Sequence, residues 1–162
     1  MKLDAVDLKI LDLLQQDGRM THRAIAEAVG LSPASVHERI TKLEDGPDPV
    51  IQRYTAVIDP RALGLPLTAF IRVMLNGEMS AEERHEIAAI PAVLECHTVA
   101  GEDCLIMKVK VGAPADLAQV LATIRRSVPI SRTVTNIAIS TDKETLQLPL
   151  PLAALNNESE LA

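Results

Sequence analysis

Residues 29–44 read VGLSPASVHERITKLE. Gly30 is a helix stop. Ser32 followed by Pro33 is a helix start, a side-chain cap and then proline at the first helical position. Val36, Ile40 and Leu43 fall on one stripe of the helix that follows, which is expected to end near Asp45. At about 100° per residue, Ala34, Ser35, His37, Glu38, Thr41 and Lys42 point away from that stripe, with Arg39 at its edge. The outward face is short, polar and rich in hydrogen-bonding groups.

Toward the N-terminus, Leu3, Val6, Ile10, Leu13 and Leu14 repeat at helical spacing, and Asp4 followed by Asp7 is a capping signal. This first helix is expected to run to about Gln16 and to stop at Asp17-Gly18-Arg19, where Gly18 can supply a left-handed cap. Thr21 caps a second helix with Ile25, Ala26 and Val29 on one face, and Gly30 ends it. Three helices with a short turn between the second and third form a helix-turn-helix pattern. The plainer alternative is a small helical bundle with no DNA to read.

The polar face decides what such a helix can do. Ser35 and Thr41 can bond phosphates or bases, while His37, Arg39 and Lys42 can donate. Glu38 can accept from a cytosine amino group or pair with Arg39. The helix start at Ser32 favours phosphate, because its backbone N–H groups point outward unsatisfied. Ser35, His37, Glu38 and Lys42 are expected closest to bases. Arg39 and Thr41 are expected at phosphate or bracing the helix.

The chain is acidic, with net charge −6 over 162 residues. Residues 1–61 carry eight Lys and Arg against ten Asp and Glu. Charge distribution rather than the sum decides phosphate contact. A module this weakly charged gains by repetition, so binding as a dimer or larger assembly is expected. The chain has one Phe, one Tyr and no Trp, which leaves the core to Leu, Ile, Val, Ala and Met. It also disfavours stacking on single-stranded nucleic acid. Double-stranded DNA is the expected partner. No signal-peptide pattern is present, and no stretch approaches the roughly 20 apolar residues needed to span a bilayer. A cytoplasmic protein without membrane association is expected. Cys96 and Cys104 are too few for a disulfide framework.

Beyond the third helix, GPDPVIQRYTAVIDP reads as a rigid bend followed by a strand, with Val50 to Tyr54 extended as a small wing. Residues 58–66 read as a linker. From Leu67 the period changes. LTAFIRVML reads as a strand, and SAEERHEIAAI as a helix opened by Ser80 with Glu83 at its third position. AVLECHTVA and DCLIMKVKV read as two strands joined across AGED. PADLAQVLATIRRSV reads as a helix with Leu117, Val120, Leu121 and Ile124 inward, and SRTVTNIAIST as the last strand. This order suggests a ferredoxin-like βαββαβ sheet with both helices on one face. The class is α+β: a winged helix-turn-helix over residues 1–57, a linker over 58–66, a ferredoxin-like domain over 67–145 and a tail over 146–162. The Pro- and Leu-rich tail is expected to be partly ordered at best and to be useful in assembly.

LDAVDLKILDLLQQDGR, VGLSPASVHERITKLE, VIQRYTAVIDP, ECHTVAGEDCLIMKV and SRTVTNIAIST occur in that order. Over about residues 3–145 the chain resembles the Lrp/AsnC family of feast/famine regulators. The resemblance implies that the C-terminal domains dimerise through their sheets, with dimers associating into tetramers, octamers or hexadecamers. It implies that small effectors, usually amino acids, bind between subunits and change assembly or DNA affinity. Two departures stand out. Arg53 occupies the usual glycine after the third helix and can add a phosphate contact. Cys104 stands where an aspartate often holds an effector's amino group, and Leu105 replaces an aromatic.

The resemblance places the effector at Gly101, Glu102, Asp103 and Cys104, and at Thr133, Thr135, Asn136 and Ile137 on the last strand. Glu102 and Asp103 can accept from an ammonium. Backbone N–H groups near Gly101, with Thr135 and Asn136, can donate to a carboxylate. Leu105, Met107 or Ile137 would wall an aliphatic side chain, so a small or aliphatic amino acid is the expected effector. The bland reading of AGED is an ordinary polar turn. An effector-independent DNA-organising protein is one alternative. A metal or redox sensor built on Cys96, His97 and Cys104 is another, although neighbours on a strand face opposite sides. No nucleophile–base set and no phosphate-binding glycine loop is found, so neither enzyme activity nor a cofactor is expected.

Overall fold

The computed structural model describes residues 2–151. The described residues divide into two compact units, one of residues 2–57 with 144–151, the other Ile58–Lys143. The expectation for the tail beyond residue 151 lies outside the described residues.

The first unit holds α1 (Ala5–Gln16), α2 (His22–Val29) and α3 (Pro33–Glu44). Each start follows its capping chemistry. Asp4 and Asp7 form a reciprocal capping box on α1, the Thr21 side chain accepts from the Ala24 N–H, and the Ser32 side chain accepts from the Ser35 N–H. Gly30 closes α2 at φ 73°, a left-handed conformation that costs glycine little. Gly18 does not take such a conformation. Instead Asp17 ends α1 in an extended conformation, its N–H donating to Leu13 O. Gly18 is small for another reason: a Cβ there would lie 3.3 Å from Tyr54 Cδ1. Leu8, Ile10, Leu11, Ile25, Ala26, Val36, Ile40 and Leu43 form the core, with Ile51 and Leu150 packed against it. Each of the larger side chains stabilises the unit by about 1.5–3 kcal/mol.

No strand forms over residues 50–58, so the expected wing is absent as a sheet element. The physical reason is pairing. A strand needs a neighbour, and within one chain this segment has none; Pro47 and Pro49 also lack donors. The segment is pinned by other means. The Val50 and Ile51 N–H groups both donate to Leu43 O at 2.9 Å, and Tyr54 Oη donates to Glu44 Oε1 at 2.8 Å. Burial and the Glu44 carboxylate together push the Tyr54 phenol up to about 12.

The second unit holds β1 (Leu67–Leu75), α4 (Ala81–Ala88), β2 (Val93–Thr98), β3 (Leu105–Val111), α5 (Pro114–Ser127) and β4 (Ile130–Ile137). The strands form one antiparallel sheet in the order β2-β3-β1-β4. The last strand ends at Ile137, earlier than its β-prone sequence suggested. Ala69, Ile71 and Val73 of β1 and Leu105, Met107, Val109 and Val111 of β3 face the core with Ile87 of α4 and Leu117, Val120 and Ile124 of α5. Leu121 is only partly buried beside them. The alternate residues Phe70, Arg72, Ile106 and Lys108 point to the open face of the sheet. Residues 59–65 form a hydrogen-bonded turn, with Leu65 N donating to Pro60 O at 2.8 Å.

Candidate functional site

The outward face of α3 carries exposed His37, Glu38 and Lys42, with Ser35 and Thr41 half-buried. Ser35 is drawn into the cap, its hydroxyl 2.9 Å from that of Ser32. Arg39 turns the other way. Its Nη1 lies 2.7 Å from Asp4 Oδ2 and 2.7 Å from Asp7 Oδ1. A guanidinium so engaged braces α3 on α1. Partial burial opposes the charge on Asp4, but the Asp7 backbone N–H and Arg39 outweigh it and hold the carboxyl below its usual range. Arg53 is exposed beyond α3, on the segment that Tyr54 anchors. His22, which sequence reasoning passed over, reaches the α3 face: its ring centroid is 5.2 Å from that of His37.

In the second unit the loop joining β2 and β3 lines a cleft of about 500 Å³. Gly101, Asp103 and Cys104 contribute, and so do Glu78, Met79 and Arg84 from the chain around the start of α4. Glu102 is exposed on the loop. Asp103 is partly spoken for, since Arg72 Nη1 lies 3.3 Å from its Oδ2. Arg84 spends one donor on Met79 O at 2.7 Å, leaving further guanidinium N–H groups for a ligand. Glu78 and Arg84 carried no local motif. Their place follows from topology, because antiparallel β1 ends where β3 begins.

The β4 residues stand apart from this cleft. Thr133 and Thr135 pair with Val73 and Ile71, so they turn toward the helices, and Thr133 Oγ1 accepts from Arg125 at 3.2 Å. Asn136 pairs with Phe70 on the open face, and Ile137 with Ala69 at the far end of the strand. One chain therefore does not gather the eight expected effector residues into one site. Cys96, His97 and Cys104 do not converge either. Cys96 packs against the core, where burial raises its thiol, while His97 points to the open face 3.7 Å from Glu95. Among the described residues no group of three or more His, Cys, Asp or Glu side chains could hold a metal ion. Among the same residues no helix is long and apolar enough to cross a membrane.

Comparison with known proteins agrees with both halves of this geometry. Residues 3–44 match the AsnC-type helix-turn-helix domain, and residues 68–148 match the Lrp/AsnC ligand binding domain. The chain is 34% identical to the HTH-type transcriptional regulator FL11 of Pyrococcus horikoshii over 91% of its own length and 97% of that protein. Among solved structures it is similar to a transcriptional regulator of Neisseria meningitidis in complex with L-Met, at TM-score 0.84 and 30% identity, covering 93% of this chain and 98% of that one. It is also similar to a feast or famine regulatory protein of M. tuberculosis complexed with L-methionine, at TM-score 0.82 and 30% identity, covering 91% and 99%.

Proposed function

The chain belongs to the Lrp/AsnC family of transcriptional regulators, and on that premise we propose how it reads DNA and what it senses. It is a DNA-binding regulator with a ligand-binding domain, not an enzyme. The observation that carries the DNA reading is the exposed His37-Glu38-Lys42 face of α3, held outward by the Ser32 cap and the Arg39 brace. α3 enters the major groove with His37, Glu38 and Lys42 toward base edges. Ser32 and Ser35 meet phosphate near the helix start, and Thr41 and Arg53 add phosphate contacts toward the far end of α3. Arg39 stays on α1.

The effector is a small or aliphatic amino acid. Two relatives solved with L-methionine support the class. The cleft supports the chemistry: Arg84 for a carboxylate, Glu78 and Asp103 for an ammonium, and Leu75, Met79 and Val99 as an apolar wall. Asn136 and Ile137 are exposed and available to a second copy. The open sheet face, with half-exposed Phe70 and Leu94, supports a homodimer that assembles further into a tetramer or octamer in the cytoplasm. Effector binding favours one assembly or spacing over another.

A thermal-shift panel of the proteinogenic amino acids tests the effector. A true effector stabilises by about 2.7 kcal/mol at a hundred times its dissociation constant. No shift at millimolar concentration of any of them would rule the class out. A footprint tests the DNA reading: protection should recur with the helical period of about 10 base pairs.

A further inference from the structure

We propose that His22, on α2, is a positioning residue for DNA recognition: its ring backs that of His37 and sets how His37 meets a base edge. This rests on the proposed reading of α3. The two ring centroids are 5.2 Å apart and the planes are tilted by 32°. That spacing lies within the range of attractive ring pairs. Both residues are exposed, so the contact is not a by-product of core packing.

The backbones on either side are fixed. His22 is the first residue of α2, directly after Thr21, whose Oγ1 accepts from the Ala24 N–H at 3.2 Å. His37 follows the Ser32 cap by little more than one helical turn. The neighbouring charges on α2 are engaged with each other, Arg23 Nε lying 3.4 Å from Glu27 Oε1. An imidazole standing alone on a helix surface samples several rotamers, and a base contact must then bear the cost of fixing one. A second ring 5.2 Å away, tilted by 32°, removes part of that freedom beforehand. The nitrogens of His37 lie at the ring edge, where hydrogen bonds to bases form.

Duplexes selected from a random-sequence pool by the unmodified protein provide the probe. Binding of a selected duplex is measured for His22→Ala, His22→Phe, His37→Ala, the double alanine variant and Lys42→Ala, with thermal unfolding recorded for each. His22→Ala should weaken binding about 2- to 10-fold, the effect of losing one ring pair, while lowering the melting temperature no more than His37→Ala does. His22→Phe keeps a ring and should restore binding. Adding His22→Ala to His37→Ala should cost nothing more, since the pair acts as a unit. Unchanged binding by His22→Ala, failure of His22→Phe to restore it, or additive losses in the double variant would overturn the proposal. If His37→Ala and Lys42→Ala also bind like the unmodified protein, the reading of α3 fails, and the pair's role fails with it.

Discussion

Arg39 Nη1 lies 2.7 Å from Asp7 Oδ1, linking the middle of α3 to the first turn of α1. The same nitrogen reaches Asp4, so one guanidinium clasps both carboxylates of the α1 capping box. Asp7 is the more shielded of the two, at 14% side-chain exposure against 52% for Asp4.

Arg39→Ala should therefore destabilise the first unit by about 1–2 kcal/mol, the range for charge-assisted bonds at a partly exposed site. It should leave the salt dependence of DNA binding unchanged. Arg53→Ala, at the proposed phosphate contact, should do the reverse, keeping stability and reducing the slope of log affinity against log salt by about 1. Melting curves and binding across a salt series separate the two roles.

Asp4 gives the clasp a pH signature. Its carboxyl is held below the usual carboxylate range, so the stabilisation is complete above about pH 4 and is lost as pH falls through the lowered value. Unfolding monitored in acid should show this loss, and Asp4→Asn should flatten it. An unaltered acid profile in Asp4→Asn would remove Asp4 from the clasp.

Tyr54 can be followed by itself, since the chain has one tyrosine. Its phenol is raised to about 12, so its contribution is present below about pH 10 and fades as pH rises toward 12. The alkaline absorbance change should centre near that value and move down in Glu44→Gln. Tyr54→Phe should cost about 1 kcal/mol through the lost hydrogen bond.

The tail seats on α1 through a side chain. Gln15 Oε1 accepts from the Leu148 N–H at 2.6 Å, and Gln15 Nε2 donates to Leu148 O at 3.1 Å. Gln147 Nε2 adds a bond to Gln15 O at 2.9 Å, and Leu150 packs on the core. Hydrogen exchange at the Leu148 amide should accelerate in Gln15→Ala, with a stability loss of about 1 kcal/mol. Unchanged exchange would mean that the amide is protected by something else.

Much of this was readable in the residues. Thr21, Ser32-Pro33, Ser80 and the Asp4–Asp7 box fixed helix starts because capping is local chemistry. The four strands of the second unit followed from the change of period at Leu67, and in LTAFIRVML and LIMKVKV the burial alternates along much of the strand. What failed was non-local. Val50 to Tyr54 have strand-like composition but no neighbour within the chain, and composition cannot supply one. Leu148 looked like loose tail because its partner, Gln15, is far away in sequence. Arg39 sat at the edge of the α3 stripe, and only the packed fold shows the carboxylates beyond it. The cleft needed Glu78 from the loop before α4 and Arg84 from α4 itself, which the sheet order brings near Gly101.

The most direct test is affinity for fragmented genomic DNA across a salt series, with and without millimolar L-methionine. A DNA-reading, amino-acid-sensing regulator enriches discrete fragments, loses affinity linearly in log salt, and changes affinity or site spacing when L-methionine is present. Enrichment indifferent to L-methionine and to the other amino acids would contradict the sensing half. Absence of salt-sensitive enrichment in every condition would contradict the role proposed for α3.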